Sequence, residues 1–103
     1  MRACFDRLWR EEDLQESFAQ AWAQVARVLV GVDGVFAYDL FNEPFFGSYQ
    51  ARRFEEEVLP PFYERIIDAI RIEDPHTWIA VEPAPSANLA GSSSSLSVAS
   101  VLW

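Results

Sequence analysis

The sequence predicts an α/β fold with the elements in the order helix, strand, helix, strand. Three observations carry this expectation. Apolar residues recur at spacings of three and four between Leu14 and Leu29, two short apolar runs lie at Val35–Phe41 and Thr77–Glu82, and a second helix-period segment separates those runs. A strand, a helix and a strand joined by short links form a right-handed crossover with the strands parallel.

The first helix is expected to start at Asp13, which can cap it, with Glu16 at the capping-box position and Glu11 and Glu12 facing the positive end of the dipole. Its apolar face is read as Leu14, Phe18, Ala21, Trp22, Val25 and Leu29. Gly31 and Gly34 bracket its end, because glycine accepts the left-handed backbone that turns a chain out of a helix. Val35–Phe41 is apolar on both alternating faces apart from Asp39, the pattern of a parallel strand buried on both sides.

A polar turn follows, and helical spacing resumes from Gln50 to Ile72 with Phe62, Ile66, Ala69 and Ile70 on one side. Pro60 and Pro61 interrupt it, so a short helix, a break and a longer helix are expected. Pro75 disfavours helix at Asp74, and Thr77–Glu82 reads as the second strand. Residues 1–83 form the organised part, and residues 84–103 a Ser/Ala-rich low-complexity tail. Two strands cannot bury one another on both faces, so the pattern is that of part of a larger sheet. Exposed strand edges would then favour self-association.

Composition narrows the function. The chain has 103 residues and a net charge of -8, from 16 acidic and 8 basic residues, which disfavours nucleic acid and acidic membrane surfaces as partners. Sugars, being uncharged, are compatible with that field, and a 15% aromatic content supplies flat apolar surfaces for pyranose faces. A single Cys4 and a single His76 offer neither an internal disulfide nor a multi-His metal site, so neither metal nor cofactor is expected. No apolar segment reads as a signal peptide or a membrane span, which leaves the compartment open.

The chemistry-bearing pattern is a glutamate followed by proline at each strand end, Asn42-Glu43-Pro44 and Glu82-Pro83. In α/β barrels the reactive side chains stand at the carboxyl ends of the strands. Pro44 is expected to hold Glu43 extended and so aim its carboxylate, while Asn42 offers a donor and an acceptor to a ligand hydroxyl. Taken alone, the tripeptide fits equally a plain strand exit with a solvated glutamate.

The run Tyr38-Asp39-Leu40-Phe41-Asn42-Glu43-Pro44 follows a helix bearing Phe18, Trp22 and Val25-Ala26 and is followed in turn by Glu82-Pro83. From Phe5 to Pro83 the chain resembles the central part of glycoside hydrolase family 5, of the cellulase-like clan, and is most similar to its endoglycosylceramidase branch. The resemblance implies a (β/α)8 barrel of which this chain supplies roughly helix three, strand four, helix four and strand five. It implies that Glu43 is the general acid/base of a retaining glycosidase and that Asn42 contacts the sugar near its 2-hydroxyl. The nucleophile it implies is a glutamate at the end of strand seven, beyond this chain. The isolated chain is therefore expected to be inactive towards O-glycosyl bonds, with a glycolipid or β-glucan as the substrate of the whole enzyme.

Further residues have expected places. Glu82 reads as a pocket-lining or supporting group in preference to a nucleophile, and Asp39 as a buried, hydrogen-bonded structural carboxylate. His76 should be an exposed turn residue at the end of the strands remote from Glu43. Phe45, Phe46 and Tyr49 suit either a sugar or lipid platform or the packing of their own loop. Glu55-Glu56-Glu57 reads as a solvated helix face, and Ser92–Ser95 carries no nucleotide-binding signal. The competing function is a non-catalytic α/β interaction or sugar-binding module.

Overall fold

A computed structural model describes residues 2–84 and 101–102. The elements are α1 (Arg2–Arg10), α2 (Glu12–Leu29), β1 (Ala37–Asp39), α3 (Ala51–Arg53), a π-helical turn (Phe54–Val58), α4 (Leu59–Glu73), β2 (Trp78–Val81) and β3 (Val101–Leu102). Most of the stretch read as a tail, residues 85–100 with Ser92–Ser95 among them, lies outside the described residues.

Helix α1 was not anticipated, although Phe5, Leu8 and Trp9 stand at i, i+3 and i+4 on one face. Its presence moves the start of the next helix. Asp13 is no cap: α2 begins at Glu12 after the extended corner residue Glu11, whose side chain makes no cap bond. The backbone amides of Leu14 and Gln15 donate to the Glu11 carbonyl at 3.1 and 3.2 Å. In return, the Gln15 amide side chain donates to the carbonyls of Leu8 (3.0 Å) and Trp9 (3.2 Å), satisfying the end of α1. The two helices meet at one residue, and α2 caps the end of α1.

The inner face of α2 is centred on small residues. Ala19, Ala23 and Ala26 are buried, whereas Ala21 and Val25, expected on that face, are exposed. Alanines let α4 approach closely, and Phe62, Ile66, Ala69 and Ile70 fill the contact as expected. Tyr38, Leu40, Ile79 and Val81 close this core from the sheet side.

The helix from Ala51 to Glu73 is continuous where a break was expected. Pro60 and Pro61 have no N–H to donate one turn back, and they fall in the first turn of α4, directly after the π turn. The wider turn thus absorbs the missing donors without separating two helices. It also changes which glutamate faces outward. Glu56 and Glu57 are solvated and pair with Arg52 and Arg53 at 2.9 and 2.8 Å, but Glu55 is 2% exposed, against the expectation for the whole run.

β1 and β2 are parallel, in the register Ala37↔Trp78, Tyr38↔Ile79 and Asp39↔Ala80. β3 pairs antiparallel with β2 on its other side. The expectation of strands buried on both faces is not met among the described residues. Helices α2 and α4 cover the face bearing Tyr38, Leu40, Ile79 and Val81, while Asp39 and Trp78 on the opposite face are exposed.

Candidate active site

The two parallel strands deliver their carboxyl ends to the same edge of the sheet. Beyond Asp39, the Leu40 amide donates to the Ala80 carbonyl at 3.1 Å, and the Trp22 indole donates to the Leu40 carbonyl at 3.2 Å, so the strand exit is held from both sides. Asn42 and Glu43 follow, both exposed, and Pro44 is buried beneath them.

Glu43 is not extended. Its φ is 45°, the left-handed region that non-glycine residues rarely occupy and that costs roughly 1–2 kcal/mol. What holds it there is β2: the Glu43 backbone amide donates to Oε2 of Glu82 at 2.7 Å. A backbone strained at a strand end and fixed by a side chain from the next strand is a feature found at functional sites.

Glu82 is itself held by α4. The Tyr63 hydroxyl donates to the Glu82 carbonyl at 2.7 Å and accepts the Glu82 amide at 3.2 Å, which continues the pairing of β2 after its last strand residue. Burial, with the neighbouring Glu82 and Asp39 charges adding to it, pushes the Tyr63 phenol well above its ordinary range and keeps it a neutral donor. Tyr63 is a supporting residue that the sequence reading missed; its one signal is a hydroxyl within the apolar stripe of α4.

Asp39 departs from expectation. It is exposed, not a buried structural group. Its carboxyl is nevertheless raised above the usual range, first by partial desolvation and then by a hydrogen bond to the Glu82 carboxylate and by its charge. Glu82 therefore stands between an acid on its own face of the sheet and the amide of Glu43. The expectation that Glu82 is a supporting group agrees with this placement.

The loop after Glu43 is fastened to α1. Trp9 Nε1 donates to the Phe45 carbonyl at 2.8 Å, and the Ser48 amide donates to Asp6 Oδ1 at 2.8 Å. Gly47 has φ 63°, and a Cβ there would collide with Asp6 Oδ1. Phe45 packs edge-on against Phe5 and tilted against Phe46, and Tyr49 lies under the Arg10 guanidinium. These aromatics pack their own loop, the second of their two expected roles.

A cleft of about 460 Å³ lies at the opposite ends of the strands, lined in part by Val35, Phe36, Asp74, His76 and Trp78. His76 is exposed there, as expected. Asp74 is buried beside it and accepts from Tyr38 Oη (2.7 Å), from the amides of His76 and Thr77 (both 3.0 Å) and from Thr77 Oγ1. Burial alone would raise this carboxyl, but those donors outweigh it and hold it well below the usual carboxylate range. With every lone-pair direction engaged, Asp74 is structural. Among the described residues no group of three or more His, Cys, Asp or Glu side chains could hold a metal.

Comparison with known families decides what this strand-end arrangement belongs to. The sequence model of the family described as cellulase (glycosyl hydrolase family 5) matches residues 6–97. The chain belongs to glycosyl hydrolase family 5. Among solved structures, this family 5 chain is similar to endo-glycoceramidase II from Rhodococcus sp., at 40% identity over 90% of the chain with a TM-score of 0.83. It is also similar to that enzyme's ganglioside GM3 complex, at 42% identity, 81% coverage and a TM-score of 0.77. The lactosyl-enzyme intermediate of the same enzyme matches at 41% identity, 81% coverage and a TM-score of 0.77. The chain spans 22%, 19% and 20% of those three structures, about a fifth of their length. A comparison with curated proteins gave no match.

Proposed function

We propose that this chain carries the general acid/base of a retaining, endoglycosylceramidase-like glycosidase, with Glu43 in that role. The observation that carries the reading is the placement of Glu43 and Glu82 together at the carboxyl edge of a parallel strand pair, in a family 5 chain. On this reading α2 is helix three of a (β/α)8 barrel, β1 is strand four, α3 through α4 is helix four and β2 is strand five.

Retaining hydrolysis needs two carboxyl groups about 5 Å apart. Glu43 gives its proton to the glycosidic oxygen as the bond to the anomeric carbon breaks, while a carboxylate from a later strand attacks that carbon. Glu43, now ionised, then takes a proton from the water that releases the sugar. Asn42, exposed beside it, is placed to hydrogen-bond the sugar hydroxyl next to the reacting carbon. The lactosyl-enzyme intermediate and the ganglioside complex of the 40% identical relative support both the covalent route and a glycolipid as substrate.

The 103-residue chain alone is expected to lack turnover, because on this reading the nucleophile stands on a later strand and Glu82 is engaged with the Glu43 amide and with Asp39. Assay of the chain with an activated aryl β-glucoside tests this. Turnover that disappears in Glu43→Gln would show that the chain is self-sufficient and that the nucleophile lies within it. Exposed Phe36 (71%), Ile72 (83%) and Trp78 (51%), together with β1 as an edge strand, support self-association of the chain in isolation. Sedimentation velocity that shows only monomer at micromolar concentration would contradict it.

A further inference from the structure

At the carboxyl ends of the strands, Glu82 draws its partners from separate elements. The Glu43 amide reaches it from the loop after β1, the Asp39 carboxyl from β1, and the Tyr63 hydroxyl fixes its backbone from α4. We infer that Glu82 is the positioning residue for Glu43: its side chain, accepting the Glu43 amide at 2.7 Å, holds the Glu43 backbone in its left-handed conformation and so sets where the Glu43 carboxyl stands. The inference rests on the reading of Glu43 as acid/base for its catalytic meaning, but the geometry it asserts can be tested without catalysis.

A glutamate at φ 45° relaxes towards negative φ unless a bond made only in that conformation compensates. The bond from the Glu43 amide to Glu82 is short and runs to a carboxyl oxygen, so it offsets that strain. Desolvation, with the hydrogen bond and charge of Glu82 beside it, raises the Asp39 carboxyl above the usual range. The titratable groups facing Glu82 are thus Asp39 from β1, Tyr63 from α4 and Glu43 itself.

The test is the chemical shift of the Glu43 backbone amide, read by nuclear magnetic resonance in the 103-residue chain. The amide proton should lie downfield, as a short hydrogen bond to a carboxyl oxygen requires. The shift should persist in Glu43→Gln, which changes only that residue's side chain, and should be lost in Glu82→Ala, which removes the acceptor. Glu82→Gln, which keeps an acceptor oxygen of the same reach, should retain part of it. An amide shift unchanged in Glu82→Ala would overturn the inference. The outcome does not depend on whether Glu43 is catalytic, so a failure here is distinct from a failure of the acid/base reading.

Discussion

The backbone amide of Glu43 and the Oε2 atom of Glu82 meet at 2.7 Å across 39 residues of sequence. That contact joins the ends of two parallel strands and fixes a backbone conformation that Glu43 would not adopt alone. Everything around it acts as support: Tyr63 beneath Glu82, Pro44 buried beneath Glu43, and α1 clamping the loop that follows.

Tyr63→Phe keeps the ring in the core and removes only the hydroxyl that serves both the carbonyl and the amide of Glu82. It should cost about 2 kcal/mol, because two backbone groups lose their partner at once. Urea denaturation should show the midpoint falling with the slope unchanged. An unshifted midpoint would mean that water replaces the hydroxyl without cost.

Gly47→Ala and Gly31→Ala form a matched pair. Both glycines have positive φ, but a Cβ at Gly31 meets open space whereas one at Gly47 meets Asp6. Gly31→Ala should cost about 1 kcal/mol and Gly47→Ala clearly more, since backbone strain and collision act together. Equal thermal shifts for the two would argue that α1 does not clamp the loop.

Asp74→Asn should destabilise the fold by about 3 kcal/mol at neutral pH, because the amide's own donors then face groups that are already donors. The pH dependence has a definite sign. The folded-state carboxyl is held below its unfolded value near 3.9, so its contribution is fully present above about pH 4 and is lost as pH falls further. The gap between wild type and variant should therefore narrow in denaturation curves taken at pH 3.

Asp39 should behave in the opposite way. Its carboxyl is raised in the folded chain, so ionising it opposes folding; the penalty is full above the folded pKa, shrinks as pH falls below it and is gone below the unfolded value near 3.9. Asp39→Asn should be more stable than wild type at pH 7 and indistinguishable from it in acid. Loss of stability at pH 7 would show that the Asp39 charge is favourable.

Much of this fold was legible in the sequence, for reasons that particular residues make plain. The turn glycines Gly31 and Gly34 and the Phe62, Ile66, Ala69 and Ile70 stripe are local signals that the structure places as read, and each apolar run holds a strand, shorter than the run and exposed on one face. What was misread depends on neighbours. Asp13 has the chemistry of a cap, but α1 ends one residue before α2 and Glu11 stands at the corner instead. Glu55 turns inward because prolines five and six residues later impose a π turn, a long-range effect on a short acidic run. The identity of Glu43 as the residue to watch came from its motif. Its conformation did not, because Pro44 disfavours only the right-handed region, and the partner that selects the left-handed one is Glu82 on another strand.

The central claim is that Glu43 is an acid/base, and it is tested most directly in a barrel that supplies the rest of the site. Residues 6–84 of this chain, placed in Rhodococcus sp. endo-glycoceramidase II in exchange for the matching segment, should give an active chimaera. In that chimaera Glu43→Gln should lower kcat on a glycolipid, whose leaving group needs a proton, by about 10²–10⁴. On an aryl β-glycoside with a highly acidic phenol, which leaves without one, cleavage of the glycosidic bond should be nearly unaffected. A Glu43→Gln chimaera that hydrolyses the glycolipid as fast as its parent would contradict the account.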